Sequence, residues 1–319
     1  MYNSDMHRET IRIGISSCLI GEPVRYNGAH KRDRYLTDVL SRYFEYVPFC
    51  PEVAIGLGVP RATIQLQAHG SGARAIQPQQ DNRDVTDLLA DYGRTIGRNQ
   101  TGISGYIFKA RSPSCGMERV KVYDRHGAPS GHGAGIYAAA FRAEQPLLPA
   151  EEEGRLNDPD LRDNFIERVF VYDRWRRLER EGITTPALVD YHTQHKFLIL
   201  AHSQPALREL GRLVANPGSD IGATAATYIT QLMRALAKPA KRGNQANALQ
   251  HIAGFIKDNI DAGDRRELAD AVDAYRRDEL PIIVPLTLIR HHLRRNPDAY
   301  LESQRYIEER PAAIDTRRR

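Results

Sequence analysis

The sequence predicts two domains of different class. The first is an α/β N-terminal domain with a mostly parallel three-layer sheet, and the second is an all-α C-terminal domain. Three observations predict this. Up to about residue 150, short β-branched and aromatic runs alternate with stretches of helical spacing, the pattern of a largely parallel sheet. Beyond about residue 158, helical spacing recurs and no convincing strand interrupts it. Between them, Pro146 to Asp158 is polar, acidic and proline-bearing, as a linker is. The expected boundaries are 1–150 for the α/β domain, 151–184 for an acidic linker with a connecting helix, and 185–319 for the helical domain.

In order along the chain, Ile11-Arg12-Ile13-Gly14-Ile15 is the first expected strand. Asp33 to Phe44 places Tyr35, Val39, Leu40 and Tyr43 at helical spacing. Phe44 to Phe49 is the second strand. Gly56 to Gln80 is rich in glycine, proline and glutamine and is expected to be a loop. Asp81 to Arg98 is expected to be a helix, with Val85, Leu88, Leu89, Tyr92 and Ile96 on one face. Tyr106 to Ala110 is the third strand and Val120 to Tyr123 a fourth. A turn at Gly131-His132-Gly133-Ala134-Gly135 leads into a helix from Ile136 to Phe141. It is not a GxGxxG fingerprint and does not follow the first strand.

Asp160 to Glu181 is a strong helix with Phe165, Val169, Tyr172 and Trp175 near one stripe. Thr185 to Ser203, Pro205 to Val214, Ile221 to Leu236, Asn244 to Ala262 and Arg265 to Arg277 follow as amphipathic helices. Leu280 to Val284 fits either a strand or a helix, and Leu286 to Arg295 resumes helical spacing. Pro311 to Arg319 has the composition of a disordered tail.

Composition narrows the function. No apolar run approaches the roughly 20 residues that cross a bilayer, and Met1 to Thr10 lacks the apolar core of a secretory signal. The expected place is the cytoplasm, with no membrane partner. The net charge of +5 and pI of about 9.1 suit a polyanionic partner. No Walker A, HExxH or GxSxG pattern occurs, which removes support for a phosphate-cleaving or serine-nucleophile enzyme.

The 3 cysteines carry the chemistry. An odd number at long separations is no disulfide framework. Cys18, Cys50 and Cys115 each follow an expected strand, and open α/β sheets bind ligands at the carboxyl ends of their strands. None belongs to a CxxC pair, so a closed structural zinc site lacks ligands. Three thiols meeting at one edge would suit a metal group with one position open to substrate. Three unpaired, inert thiols are the alternative.

The sequences around them read Ser16-Ser17-Cys18-Leu19-Ile20-Gly21, then Val24-Arg25-Tyr26-Asn27-Gly28. They continue with Cys50-Pro51-Glu52-Val53, Gly56-Leu57-Gly58-Val59-Pro60-Arg61 and Ser112-Pro113-Ser114-Cys115-Gly116. Over about residues 10–150 this resembles the 2-thiouracil desulfidase-like family. The resemblance implies that Cys18, Cys50 and Cys115 hold a 4Fe-4S cluster whose fourth iron takes the substrate sulfur. Asn27 stands where relatives often carry Asp, so no acid–base role is assigned to it. In the second half, Tyr191-His192, His195-Lys196, Asn247 to His251, Gly254 to Lys257 and Tyr275 to Leu288 resemble a YbgA-like helical domain. The fusion resembles the bacterial tRNA 4-thiouridine desulfidases, which implies tRNA as partner.

Replacing a thiocarbonyl sulfur by oxygen needs a polarised sulfur, a water attacking carbon, and a base. Glu52, two residues after Cys50, is the expected base, and a helix-N-terminal carboxylate is its structural alternative. Ser112 and Ser114 flank the third thiol, and Ser112 is favoured over a purely turn-forming role. Arg25 and Arg61 follow the first two cysteines and are expected to meet phosphate or a base oxygen. Lys196 and Lys257 are the expected RNA contacts of the helical domain, within basic clusters that include His192, His195, His251 and Arg290 to Arg295.

The resulting expectation is a desulfidase that converts 4-thiouridine in tRNA to uridine and sulfide without ATP or net redox change. A desulfidase of free thiopyrimidines such as 2-thiouracil is one alternative. A non-enzymatic Fe–S or zinc sensor that binds nucleic acid is the other.

Overall fold

The computed structural model describes residues 10–70, 72–100 and 102–308. The expected signal-free start at Met1 and the tail at Pro311 to Arg319 lie outside them. The chain divides into two compact units, Met1–Asn157 and Asp158–Arg319.

The first unit is α/β with two sheets. Its elements are β1 (Ile11–Ser16), α1 (Arg34–Asp38), β2 (Phe44–Phe49), α2 (Pro51–Ala54), β3 (Gln65–His69), β4 (Gly72–Gln77) and β5 (Arg83–Asp84). Then follow α3 (Thr86–Asn99), β6 (Gly105–Phe108), β7 (Val120–Tyr123), β8 (Pro129–Gly133), α4 (Ile136–Glu144) and β9 (Ala150–Glu152). The first sheet runs β2-β1-β6-β9, and every neighbouring pair in it is parallel. The second runs β5-β4-β3-β7-β8. It is mixed: β3 pairs antiparallel with β4 and parallel with β7.

Burial follows from side-chain type. Ile13 and Ile15 of β1 and Tyr106, Ile107 and Phe108 of β6 are fully enclosed. β6 is buried along its whole length, so it reads as a continuous apolar run, while β1 is legible from Ile11, Ile13 and Ile15 alternating around an exposed Arg12. α3 and α4 serve both sheets. Tyr137 and Phe141 of α4 pack against Tyr106 and Phe108. Leu89 of α3 joins Leu66, Ala75, Val85, Val120 and Val122 in the core of the second sheet, with Ile136 packed against it.

Several local expectations are corrected. Gly56 to Gln80 is not all loop, since it contains β3 and β4. Their residues alternate Gln, Arg and Ala with few large apolar side chains, so the period-2 signal is faint. The expected helix at Asp33 to Phe44 is one short turn with a 3-10 continuation before β2 begins. That at Asp81 to Arg98 begins only at Thr86, because Asp81 and Asn82 are left-handed (φ 49° and 54°) and the Asp84 carboxylate caps the amide of Thr86 at 2.9 Å. The glycine-rich turn before α4 is partly strand β8. The linker stretch contributes β9, which completes the parallel sheet.

Among its described residues the second unit is helical. It contains α5 (Pro159–Glu181), α6 (Thr185–His202), α7 (Gln204–Ala215), α8 (Ile221–Ala235), α9 (Arg242–Ile256), α10 (Ala262–Arg276), α11 (Ile283–Arg295) and α12 (Ala299–Glu302). Side chains of Asp158, Thr184, Ser203, Asp220, Asp261 and Asp298 cap successive helix N-termini, satisfying amides that have no intrahelical partner. Leu280 to Val284 resolves into the start of α11. The helix expected to connect the domains, α5, belongs to this unit. Trp175 stacks on Tyr228 at 5.7 Å, and Asn164 donates to Leu236 O at 2.9 Å. No helix among the described residues is long and apolar enough to cross a membrane.

His192 and His195, expected as part of a basic cluster, are core residues instead. His195 is 0% exposed, its Nδ1 lies 2.7 Å from Tyr191 O, and its ring stacks on Tyr191. His192 Nδ1 meets the Tyr228 hydroxyl at 3.1 Å. Burial pulls them down to about 4 and about 3 respectively, so both are neutral at neutral pH.

Two stability predictions follow from this packing. A Cβ at Gly93 in α3 would sit 2.7 Å from Tyr137 O and 2.9 Å from the Ala140 side chain. Gly93→Ala therefore destabilises by about 1–3 kcal/mol although alanine is the better helix former. Gly254 in α9 meets nothing within 4 Å, so Gly254→Ala stabilises by about 0.5–1 kcal/mol. Urea unfolding checks the opposite signs. The buried histidines also set an acid limit. Below pH 6.5 the unfolded chain takes up protons that the folded histidines refuse until about pH 4 and 3. Stability is therefore complete above pH 6.5 and falls toward pH 4, by about 1.4 kcal/mol per pH unit for each histidine. His195→Asn, which keeps a donor for Tyr191 O, should lessen the pH slope of the urea midpoint between pH 6 and 4.

Candidate functional site

The parallel order β2-β1-β6 brings three strand ends to one edge. β1 runs into a 3-10 turn, Ser17–Ile20, that carries Cys18. Its carbonyl accepts from Lys31 N at 2.8 Å. β2 ends at Phe49, and Cys50 is the N-cap residue of α2. After β6 the chain turns through residues 109–119, which hold Cys115. In that turn the Ser112 hydroxyl accepts from the amides of Ser114 (3.3 Å) and Cys115 (3.1 Å). All three cysteines are unpaired by disulfide, and all three line one cavity of about 410 Å³.

That cavity is also walled by Arg25, Lys109, Glu52, Arg61 and Ser112. Glu52 is fixed from two sides. Arg61 Nε donates to Oε2 at 2.7 Å, and the Ser114 hydroxyl donates to Oε1 at 2.6 Å. The Arg61 side chain is only 4% exposed and that of Glu52 15%. Arg61 spends its other donors on Gly58 O (2.9 Å) and Val24 O (2.8 Å). The expected free, phosphate-meeting Arg61 is therefore an internal brace for Glu52. Arg25 stays at the cavity wall, its guanidinium 5.4 Å from the Tyr26 ring.

Of the two serines, Ser112 makes the turn contacts that are its bland alternative, and it still lines the cavity. Ser114, wholly buried, is the one joined to the carboxylate. In the second unit, Lys196 lies 5.9 Å from the Tyr300 ring and Lys257 is exposed just past α9. Arg290 is buried and donates to Ile307 O and Glu308 O, and His292 is buried too. Much of that basic cluster is thus internal.

Burial pushes all three thiols up. Cys18 reaches about 11 despite the pull of Lys109, Cys50 rises less, and Cys115 is driven well above the usual range. A hydrogen bond from Ser16 works the other way on Cys115. The same Ser16 hydroxyl accepts from Lys109 N at 2.9 Å. Charge repulsion adds to the effect of burial: Cys50 raises Cys18, and Cys18 and Cys50 raise Cys115. Among the described residues no three His, Cys, Asp or Glu side chains are close enough to share a single metal ion. A polynuclear cluster sets a different requirement, one thiolate for each of several irons. The donor set of separated, soft sulfurs on one cavity fits that group.

Sequence reasoning missed the supports of this site. Glu152 Oε1 accepts from Met117 N at 2.7 Å. Glu153 pairs with Lys109 and accepts from Ala110 N at 2.6 Å. Both acids lie in the stretch read as a linker, where consecutive glutamates look solvated. Gly135 is a second support. Its amide donates to Gly116 O at 2.7 Å, while Ile136 N and Ala138 N donate to Pro113 O and Ser114 O. The start of α4 thereby holds the Cys115 turn by its carbonyls. The glycines before α4 were the available signal.

Removing the brace has a defined cost. Arg61→Met leaves Glu52 partly buried without its cation and should destabilise by roughly 3 kcal/mol. Arg61→Met with Glu52→Gln should recover much of that loss in urea unfolding.

Comparisons with known proteins follow the two units. The family model described as 2-thiouracil desulfurase matches residues 13–153. A model described as a protein of unknown function, DUF1722, matches residues 196–311. The chain is 37% identical over 157 residues to the uncharacterized protein YbgA of Escherichia coli (strain K12), covering 49% of this chain and 93% of YbgA. It is 29% identical over 154 residues to the uncharacterized protein YbbK of Bacillus subtilis (strain 168), covering 45% of this chain and 97% of YbbK. A solved structure, described as the 4Fe-4S-dependent thiouracil desulfidase TudS, matches at 29% identity with a TM-score of 0.37, over 46% of this chain and 94% of that one.

Proposed function

The chain belongs to the YbgA family, with a desulfurase-like unit ahead of its helical one, and from that premise we propose that it is an iron–sulfur desulfidase acting on 4-thiouridine in tRNA. The observation that carries the reading is the presence of three thiols, Cys115 buried and Cys18 and Cys50 half-buried, and a braced carboxylate on the walls of a single cavity. Cys18, Cys50 and Cys115 would hold a 4Fe-4S cluster, with no fourth cysteine in the sequence. When bound, such a cluster supplies a thiophilic Lewis acid at its open iron. The desulfurase family match over the cysteine-bearing unit supports a thiopyrimidine as the reacting group.

The chain's own residues account for the proton chemistry. The net change is exchange of C=S for C=O. The oxygen of water bonds to the base carbon, and sulfur leaves with the bonding electrons and gains the protons of water. No oxidant or ATP is consumed. A carboxylate has about four acceptor positions, and Arg61 and Ser114 occupy only one on each oxygen of Glu52. The remaining positions can take a proton from water in the cavity. Arg61 holds the carboxylate in one orientation, and a positioned acceptor is what general-base work needs. Ser114 is placed to return a proton along the same hydrogen bond. Lys109, held by Glu153, sets a positive charge near Cys18 and offsets the negative charge of bound thiolates.

Anaerobic purification with iron and sulfide quantification, and sulfide release from tRNA containing 4-thiouridine, tests the reading. Cys50→Ala should lose both iron and turnover. Glu52→Gln should keep its iron and lose about 10²–10⁴-fold in kcat. Release from free 2-thiouracil with none from tRNA would replace the tRNA assignment by the free-base alternative. Intact cluster with no sulfide from either substrate would leave the sensor alternative.

A further inference from the structure

The first unit carries a second cavity, of about 630 Å³. It shares Thr63, Ile64, Arg111 and Pro113 with the thiol cavity as common wall. Its charge is one-sided. Arg111, Arg119, Lys121 and His132 line it, and no carboxylate does. Each of the four is exposed. Among the described residues their side chains make no ion pair or hydrogen bond. Several arginines elsewhere in this unit are neutralised, Arg12 by Glu45, Arg74 by Asp84 and Arg98 by Glu144. These are not.

The backbone reinforces the pattern. Arg111 and Arg119 both have positive φ, 60° and 55°. A left-handed conformation costs a non-glycine residue about 1 kcal/mol or more, and such residues cluster at functional sites. The two arginines bracket the turn that carries Cys115, so the same turn presents a thiol to one cavity and guanidinium groups to the other. On the sheet, Lys121 of β7 stands directly opposite His132 of β8 in the antiparallel ladder. Cross-strand partners share a face, and placing two basic groups there gains nothing without an anion. Tyr123 and Gln65 add polar side chains, and Ile64, Leu66 and Val120, which belong to the core beneath, form the apolar floor of the cleft.

Resting on the desulfidase reading, we propose that this cleft is a phosphate-backbone track that holds a thiolated polyribonucleotide while the target base enters the thiol cavity. A free base would fill only the thiol cavity and leave the cationic cleft without a partner. A strand with its base turned out of the stack uses both: phosphates lie along Arg111, Arg119, Lys121 and His132, and the extruded base meets Glu52. This places RNA recognition on the α/β unit itself, beside the chemistry, rather than on Lys196 and Lys257 alone.

The test uses the full-length, cluster-loaded protein and the triple substitution Arg119→Asn, Lys121→Gln, His132→Gln. Asparagine tolerates the left-handed backbone at position 119. Binding is read by fluorescence anisotropy with a fluorescein-labelled tRNA transcript that contains no sulfur, over a salt series. Affinity should fall about 10-fold or more, and the slope of log K against log salt should become shallower by about 1–2. On 4-thiouridine tRNA, kcat/KM should fall at least 10-fold further than on free 4-thiouracil, through KM. Unchanged affinity and salt slope overturn the proposal. An equal loss on tRNA and on the free base overturns it too, since that would be a structural effect. A loss as large on 4-thiouridine monophosphate as on tRNA overturns the polynucleotide assignment in favour of a single-phosphate subsite. The anisotropy arm needs no turnover, so failure of the desulfidase reading would show separately, as absence of sulfide release by the unsubstituted protein.

Discussion

The site depends on the parallel pairing of β1 with both β2 and β6. Ser16 registers with Phe49, and Ile15 with Ile107. Because the three strands run the same way, their carboxyl ends leave the sheet side by side, and each is followed within a short turn by one cysteine. Were one strand antiparallel, its thiol would emerge at the other edge. The register is held by apolar side chains that admit no slip. Ile13, Ile15, Tyr106, Ile107 and Phe108 are fully enclosed; Tyr106 and Phe108 share a face that packs on Tyr137 and Phe141 of α4, and a one-residue shift would turn both rings away from them.

The second constraint is charge. The cavity gathers a carboxylate and three thiols, and burial makes the thiols hold their protons more tightly. Each acid around it is matched. Glu52 faces Arg61, Glu153 faces Lys109, and Glu152 accepts the amide of Met117. The acids are therefore supports of the cysteine turn, and their negative charge is spent locally. What remains uncompensated is the set of thiols, which become thiolates at neutral pH only beside a cation strong enough to deprotonate them. In that respect the cavity is complete only with a metal group. Outside it, the unit leaves the opposite charge uncompensated, in the cations of the adjoining cleft.

How much of this was legible follows from the signal each element leaves. The central strands were readable from the buried apolar run of β6 and the alternating isoleucines of β1, and the cysteines after them because the turns are short. The helices of the second unit were readable from their periodicity. Of the second sheet only β7 was. Its strands bury one face only, and the inward positions are often Ala, as at Ala75, or a single Leu or Val. β9 is three residues long and acidic, and its glutamates turn inward for backbone amides that no local pattern announces. The Glu52 brace was half visible: Glu52 was found beside Cys50, but its partners Arg61 and Ser114 come from sequence distances of 9 and 62 residues.

Motif residues in the helical unit teach a different lesson. His192 and His195 belong to the stretches that resemble the YbgA-like domain, Arg290 and His292 to the basic cluster just beyond them, and all four are buried. His195 stacks under Tyr191, His192 meets Tyr228, and Arg290 ties the chain at Ile307 and Glu308. These side chains therefore serve helix packing, and basic letters in a sequence do not by themselves make a basic surface. The same distinction separates Arg61 from Arg119 in the first unit. Arg61 sits beside the chemistry and is consumed by Glu52, Gly58 and Val24, whereas Arg119 sits a turn away and is left unspent. An electrostatic reading of polyanion recognition has to count the cations that folding leaves free, and the adjoining cleft is where this chain concentrates them next to its thiols.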